Sequence, residues 1–272
     1  MGWLILCAGA IFLISGTAIA YVIGASSILT YIINDQSRYL AIIPQRIFSQ
    51  IDVFALMAMP LFILSGDIMN RSGITRVMID FSMALVGRLK GGLGHVNILT
   101  SVFFAGISGS AIADSAALSN TLVPAMVERG YDKTYAAAIT AASSIIGPII
   151  PPSIILIVYG ALMQTSVAAL FIAGVIPGLL LASALFAVNY FFAHRDNHPG
   201  GRDEVVPPLW PSFVKAAPAL TLPVIIVGGI VVGLTTPTEA AAVAVVTATL
   251  VGRLYGGVNF PFRGKRYKAR RG

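Results

Sequence analysis

Two stretches of this sequence set oxygen-bearing side chains at breaks in an otherwise apolar chain. The first reads Gly106-Ile-Ser108-Gly109-Ser110-Ala-Ile-Ala-Asp114-Ser115, between apolar limbs at 95–105 and 116–127. The second reads Gly147-Pro148-Ile-Ile-Pro151-Pro152-Ser153, preceded by Thr140, Ser143 and Ser144. Hydroxyls, a carboxylate and carbonyls freed by broken helices are the ligands a hard cation such as sodium takes, and helix N-termini at the same breaks attract an anion. Ser108, Ser110, Asp114 and Ser143 are the side chains expected to hold the sodium ion. Asp114 is the most informative, because a carboxylate between apolar limbs is costly and marks a functional site by default. Its bland alternative is a helix cap, a role open equally to Ser110. Taken singly, the hydroxyls are ordinary, since Ser and Thr in apolar helices often bond a preceding carbonyl. Their clustering at two breaks is the signal.

Other residues carry less. Thr236, Thr238 and Glu239 open the last apolar segment. There Thr236 and Glu239 fit a capping box as well as they fit a site. Gly106-Ile-Ser108-Gly109 matches the Gly-x-Ser-Gly pattern of rhomboid-type intramembrane serine proteases. That chemistry needs a histidine base beside the serine. No later apolar segment holds one, and His95 lies about 20 Å back along a straight helix. His95, His194 and His198 do not make a metal set, and no cofactor is expected. The lone Cys7 cannot form an intrachain disulfide and reads as a packing residue.

The elements that position these groups must live in lipid. The 272 residues are 57% hydrophobic and 11% charged, with mean hydropathy +0.86, against about 25% charged in a soluble domain. Apolar runs at 3–33, about 50–69, 134–164, 167–193, 213–234 and 235–254 predict an all-α polytopic membrane protein. The run 3–33 is one long helix or two short ones, interrupted at Gly16 and Gly24. Pro60 predicts a kink in the helix over 50–69, and Asn34 to Arg46 reads as a loop. Val77, Phe81, Leu85 and Leu89 recur every four residues, predicting an amphipathic surface helix over 74–90. Gly91-Gly92-Leu93-Gly94 reads as a flexible joint. The limbs at 95–105 and 116–127 are too short to cross, so they predict a re-entrant hairpin, and three prolines in 148–152 predict a broken helix. Residues 253–272 hold seven Arg and Lys and no acid, equal to the whole net charge of +7. A cytoplasmic tail obeying the positive-inside rule explains them better than nucleic acid does. The organisation expected is membrane helices at 1–73, the surface helix at 74–90, the hairpin and broken helix at 91–166, further helices at 167–256, and a basic tail at 257–272.

Three long motifs, in order, resemble the large membrane subunit of TRAP transporters (tripartite ATP-independent periplasmic transporters). They are Gly106 to Leu118, Thr140 to Ser153, and Gly233-Leu-Thr-Thr-Pro-Thr-Glu-Ala-Ala-Ala-Val243. Pro60-Leu-Phe-Ile-Leu-Ser-Gly66 also fits. The resemblance covers roughly residues 1–256 and does not extend to the basic tail. It implies an ion-transporter fold of inverted repeats, each with a re-entrant hairpin and a broken helix, in the bacterial inner membrane. It implies two protein partners, a small four-helix membrane subunit and a periplasmic substrate-binding protein, and sodium-coupled import of small organic acids by an elevator-like movement. On that basis Gly106 to Ser115, with Thr140, Ser143, Ser144, Gly147, Pro148, Pro151 and Ser153, form one sodium site and half of the substrate site. Thr236, Thr238 and Glu239 stand where the second repeat begins. That repeat's hairpin and broken helix are expected beyond the last apolar segment, where this chain becomes basic, so the permease is expected to be incomplete. The alternative is a truncated, non-transporting subunit that only binds the small partner.

Overall fold

The computed structural model describes residues 2–201 and 205–255; the basic stretch at 257–272 lies outside the described residues. Among the described residues there are twelve α-helices and no strand. The chain divides into two compact units at Val53.

The first unit holds α1 (Gly2–Ile14), α2 (Ile19–Ile33), a 3-10 turn (Ser37–Ile42) and α3 (Ile43–Ile51). The run 3–33 is thus two helices, which pack on each other. Gly16, at φ +76°, supplies the left-handed residue that ends the first. Gly24 continues α2 without interruption. The expected loop at 34–46 is largely helical turn, because Pro44 falls in the first turn of α3, where its missing N–H costs nothing.

The second unit holds α4 (Ala58–Arg71), α5 (Ile74–Val86), α6 (Gly92–Ser108), α7 (Ala111–Glu128), α8 (Lys133–Ser144), α9 (Ile154–Leu162), α10 (Val167–Arg195), α11 (Leu209–Val231) and α12 (Pro237–Leu254). Pro60 does not kink a helix over 50–69. It sits in the first turn of α4, and the chain before it is non-helical at Asp52 and Val53. Helix α4 packs along α12. Ala240, Ala241, Ala244 and Ala248 of α12 are buried in one core with Ala58, Phe62 and Met69 of α4. Small residues at that spacing let two helix backbones approach closely in lipid. The start of α12 is fixed by a capping box: the Glu239 backbone N–H donates to Thr236 Oγ1 (3.3 Å), and the Thr236 N–H donates to Glu239 Oε2 (2.7 Å). A second core joins α6, α7 and α8 through Val96, Ile98, Leu118, Leu122, Met126 and Ile139.

Helix α5 forms, but its buried face is Ile74, Met78, Phe81 and Ser82, packed on α6 and α11. Leu85 and Leu89, which the sequence pattern placed on the apolar stripe, are exposed. The stripe actually used follows i, i+4, i+7, i+8 toward protein. Helices α10 and α11, 29 and 23 residues long, are each long and apolar enough to cross a membrane.

The glycine joint is pinned rather than loose. Asn189 of α10, fully buried, donates to Gly91 O (3.3 Å) and accepts from the Tyr135 hydroxyl (2.6 Å). Pro199 O accepts from Gly91 N (3.2 Å) and from the Tyr131 hydroxyl (2.9 Å), and Lys90 Nζ donates to Asn197 Oδ1 (2.7 Å). His198 lies with its ring centroid 4.4 Å from that of Tyr135. Burial there pushes its imidazole below the usual pKa, opposed by the nearby Asp196 carboxylate.

A Cβ added at Gly94 would lie 2.0 Å from Asn189 Oδ1, whereas one at Gly24 meets nothing within 4 Å. Gly94→Ala is expected to lower the thermal midpoint in detergent, at a cost of about 1–3 kcal/mol. Gly24→Ala should leave the midpoint unchanged or raise it, by up to about 1 kcal/mol. Thermal unfolding of the two variants side by side checks both.

Candidate functional site

Helices α6 and α7 meet at a two-residue turn. Gly109 ends α6 at φ +59°, and Ser110 caps α7 by accepting from Ala113 N (3.4 Å). The limbs are therefore 17 and 18 residues long, not eleven or twelve, and most of the Gly/Ser stretch is helical. A good cap directly after the left-handed glycine lets the second helix start at once. It also settles which residue caps: Ser110 does, and Asp114 is left in the first turn, where the helix dipole favours negative charge.

The second break lies between α8 and α9, at residues 145–153. Ser153 closes it, accepting from Leu156 N (3.2 Å) and donating to Pro148 O (2.5 Å). The Pro151–Pro152 peptide is cis.

The two breaks press against each other, and glycines mark where. A Cβ at Gly109 would sit 2.3 Å from Pro152 O and 3.3 Å from Ile154 N. One at Gly147 would sit 2.6 Å from Asp114 Oδ2, 3.2 Å from Ser144 O and 3.4 Å from Ala111 N. One at Gly106 would strike Pro223 of α11 at 2.7 Å, and one at Gly66 of α4 would lie 3.3 Å from Ser108 Cα. Side chains at Gly109 or Gly147 would part the tip of the hairpin from the broken helix.

Asp114 lies at this contact with 0% exposure. Its Oδ1 accepts from the Ser108 hydroxyl, and Ser108 Oγ accepts from Ser110 N (3.2 Å). Its Oδ2 is buried and has no hydrogen-bond partner. A buried carboxylate oxygen without a partner costs several kcal/mol. Such an oxygen is an open acceptor of the kind a small, hard cation binds.

Ser108, Ser110, Asp114, Gly109, Gly147, Pro148, Pro151 and Ser153 thus come together. Thr140 and Ser143 do not face the carboxylate. They belong to a buried polar ladder between α6 and α8. Asn97 Nδ2 donates to Thr140 Oγ1 (2.5 Å), the Ser143 hydroxyl lies 3.1 Å from Asn97 Oδ1, and Ser101 Oγ is 2.9 Å from Ser143 Oγ. The Ser144 hydroxyl donates to Thr140 O (2.8 Å), and its carbonyl accepts from Gly147 N (3.1 Å). Ser115 is half-buried next to Asp114. Thr236 and Glu239 are occupied in the capping box. Thr238 Oγ1 donates to Phe54 O (3.3 Å), at the end of α12 that packs on α4.

Sequence reasoning missed Asn97 and Ser101. Asn97 was visible as the only amide in the apolar limb 95–105, but its partners lie 43 and 46 residues away. Histidine-assisted serine chemistry finds no support here. The Ser108 hydroxyl is engaged by Asp114, and His95, at the far end of α6, is buried and stacked on Phe186 at 5.2 Å. Among the described residues no group of three or more His, Cys, Asp or Glu could hold a metal.

Residues 6–266 match the family described as "Tripartite ATP-independent periplasmic transporter, DctM component", and the match ends inside the basic stretch. The chain is 42% identical over 252 residues to an uncharacterized protein of Salmonella typhimurium, YgiK, covering 92% of this chain and 58% of that one. It is 42% identical over 228 residues to the sialic acid TRAP transporter large permease protein SiaM of Vibrio cholerae, covering 82% and 52%. It is 41% identical over 231 residues to the C4-dicarboxylate TRAP transporter large permease protein DctM of Pseudomonas aeruginosa, covering 84% and 53%. The chain spans about half the length of the curated relatives it matches.

Gly147→Ala should destabilise the protein by forcing Asp114 off Gly147, and Asp114→Ala should remove the obstacle. Thermal unfolding of both single variants and the double variant is expected to show a coupling of about 1 kcal/mol or more. Strict additivity would mean that the two residues do not meet.

Proposed function

The chain belongs to the DctM family of tripartite ATP-independent periplasmic transporters, and from that premise we propose that it is the N-terminal half of the permease of a sodium-coupled importer of small organic acids. It is a multi-pass protein of the bacterial inner membrane, and a transporter component rather than a member of an enzyme class. In this reading the hairpin of α6 and α7 is re-entrant. The complete permease works with a small membrane subunit and receives its acid from a periplasmic binding protein. The relatives' names point to sialic acid and C4-dicarboxylates as the range of cargo.

One observation carries the ion half of this reading. Asp114 is fully buried at the contact of two helix breaks, and one of its oxygens is unpartnered. A sodium ion there would be held by that oxygen, with Ser108 and Ser110 close by. Oxygen-only ligation suits a hard, weakly held cation that must bind and leave in every cycle. Neutralising a buried charge across the contact also gives the ion a reason to hold hairpin and broken helix together. Binding of the ion would thereby be coupled to the shape of the adjoining substrate half-site. The N-terminus of α9, at Ser153, points a positive helix end at the same region, which favours a carboxylate.

The test uses the full-length permease with its small subunit and binding protein in proteoliposomes, with labelled sialic acid and succinate as probes. Asp114→Asn and Ser108→Ala are each expected to raise the sodium concentration for half-maximal uptake by about tenfold or more, a loss of about 1.4 kcal/mol. Sodium activation unchanged in both variants would sink the assignment.

A further inference from the structure

A polar groove of about 640 Å³ runs beside the site, between the junction of α4 and α5 on one wall and α7 on the other. We propose that this groove is a water-filled route by which the anionic cargo passes to or from the hairpin tip, with Arg76 as its attracting charge. The inference rests on the transport reading above.

The groove is placed for that role. Its α4 wall carries Asp67 and Asn70, just beyond Gly66, which packs on Ser108 at the tip. Its α7 wall begins at Ala113, the residue before Asp114, and continues through Ala116, Ala117, Asn120 and Thr121. That is one helix face at i, i+3, i+4, i+7, i+8, leading away from the tip for two turns. The small alanines leave room, and the volume exceeds that of a small organic acid.

Its chemistry is wrong for lipid and right for an anion in water. Asp67 and Arg71 form an ion pair at 2.8 Å with both side chains more than half exposed, which requires water. Arg76 is exposed and makes no ion pair among the described residues, and the Asp80 carboxylate within Coulombic range offsets only part of its charge. Guanidinium, amide and hydroxyl groups along one passage offer a carboxylate weak successive contacts. A permeation path needs that, whereas one tight site would trap the cargo.

The experiment reads water access and local charge without needing to know the cargo. Single cysteines at Asn120, in the groove, and at Ile176, 69% exposed on the apolar surface of α10, are placed in an otherwise cysteine-free full-length permease in membranes. They are treated with an anionic (sulfonatoethyl) and a cationic (trimethylammonioethyl) methanethiosulfonate. Asn120→Cys should react with both and Ile176→Cys with neither. Adding Arg76→Gln should lower the anion-to-cation rate ratio at Asn120→Cys by about threefold or more, as loss of a local potential of about half a kT per unit charge or more requires. Arg76→Lys should keep the ratio. An Asn120→Cys as inert as Ile176→Cys, or a ratio unmoved by Arg76→Gln, would overturn the proposal. Because labelling does not depend on sodium, the groove can stand if Asp114 proves not to be the ion ligand, and fall if it does.

Discussion

The structure depends on one constraint: backbone polar groups at membrane depth must find partners inside the protein. Two breaks in one half-repeat would each expose carbonyls and N–H groups. Here they share a single contact, and each closes largely on hydrogen bonds of its own. The turn at Gly109 and Ser110 is closed by a serine cap and by Ser108 Oγ, and the stretch 145–153 by Ser153 and its own short turns. The glycines at 109 and 147 let the two come within backbone distance. What stays unsatisfied at this contact is one oxygen of Asp114. At a contact otherwise closed by caps and short turns, that open acceptor is a specific feature, and it is what the proposed cation would fill.

Much of this was readable from sequence, and the rest was hidden for definite reasons. The motif Gly106 to Ser115 and the prolines at 148–152 located both breaks, because Gly, Pro and clustered hydroxyls act locally on the backbone. Limb length was misjudged because Gly106 and Ser108 are poor helix formers that tertiary packing keeps helical, with Pro223 and Gly66 against them. The phase of α5 was misjudged for a similar reason. Leu85 and Leu89 are apolar enough for the stripe, but the neighbours that choose the buried face, α6 and α11, lie elsewhere in the chain. Asn97 and Ser101 were passed over because their partners sit on α8, and pairing across 42 to 46 residues leaves no local spacing to detect.

Polar groups are also used away from the site. Gly91 to Gly94, whose composition suggests freedom, is held by Asn189, Pro199 and Lys90. The entrance to the hairpin is therefore anchored at one end to α10 and the segment that follows it, while its tip meets the broken helix at the other. The ladder of Asn97, Ser101, Thr140 and Ser143 ties α6 to α8 between those ends. Hairpin, broken helix and the end of α10 are thus tied to one another at several points along their length.

The pairing of α4 with α12 bears on how such a protein is made. The alanines of α12 complete a core whose other wall, Ala58, Phe62 and Met69, was synthesised some 180 residues earlier. During translation α4 therefore enters the bilayer with its partner face unmatched and must wait through seven further helices. Helix α12 locks a helix made long before it, so the core between them stays open to quality control until α12 has emerged.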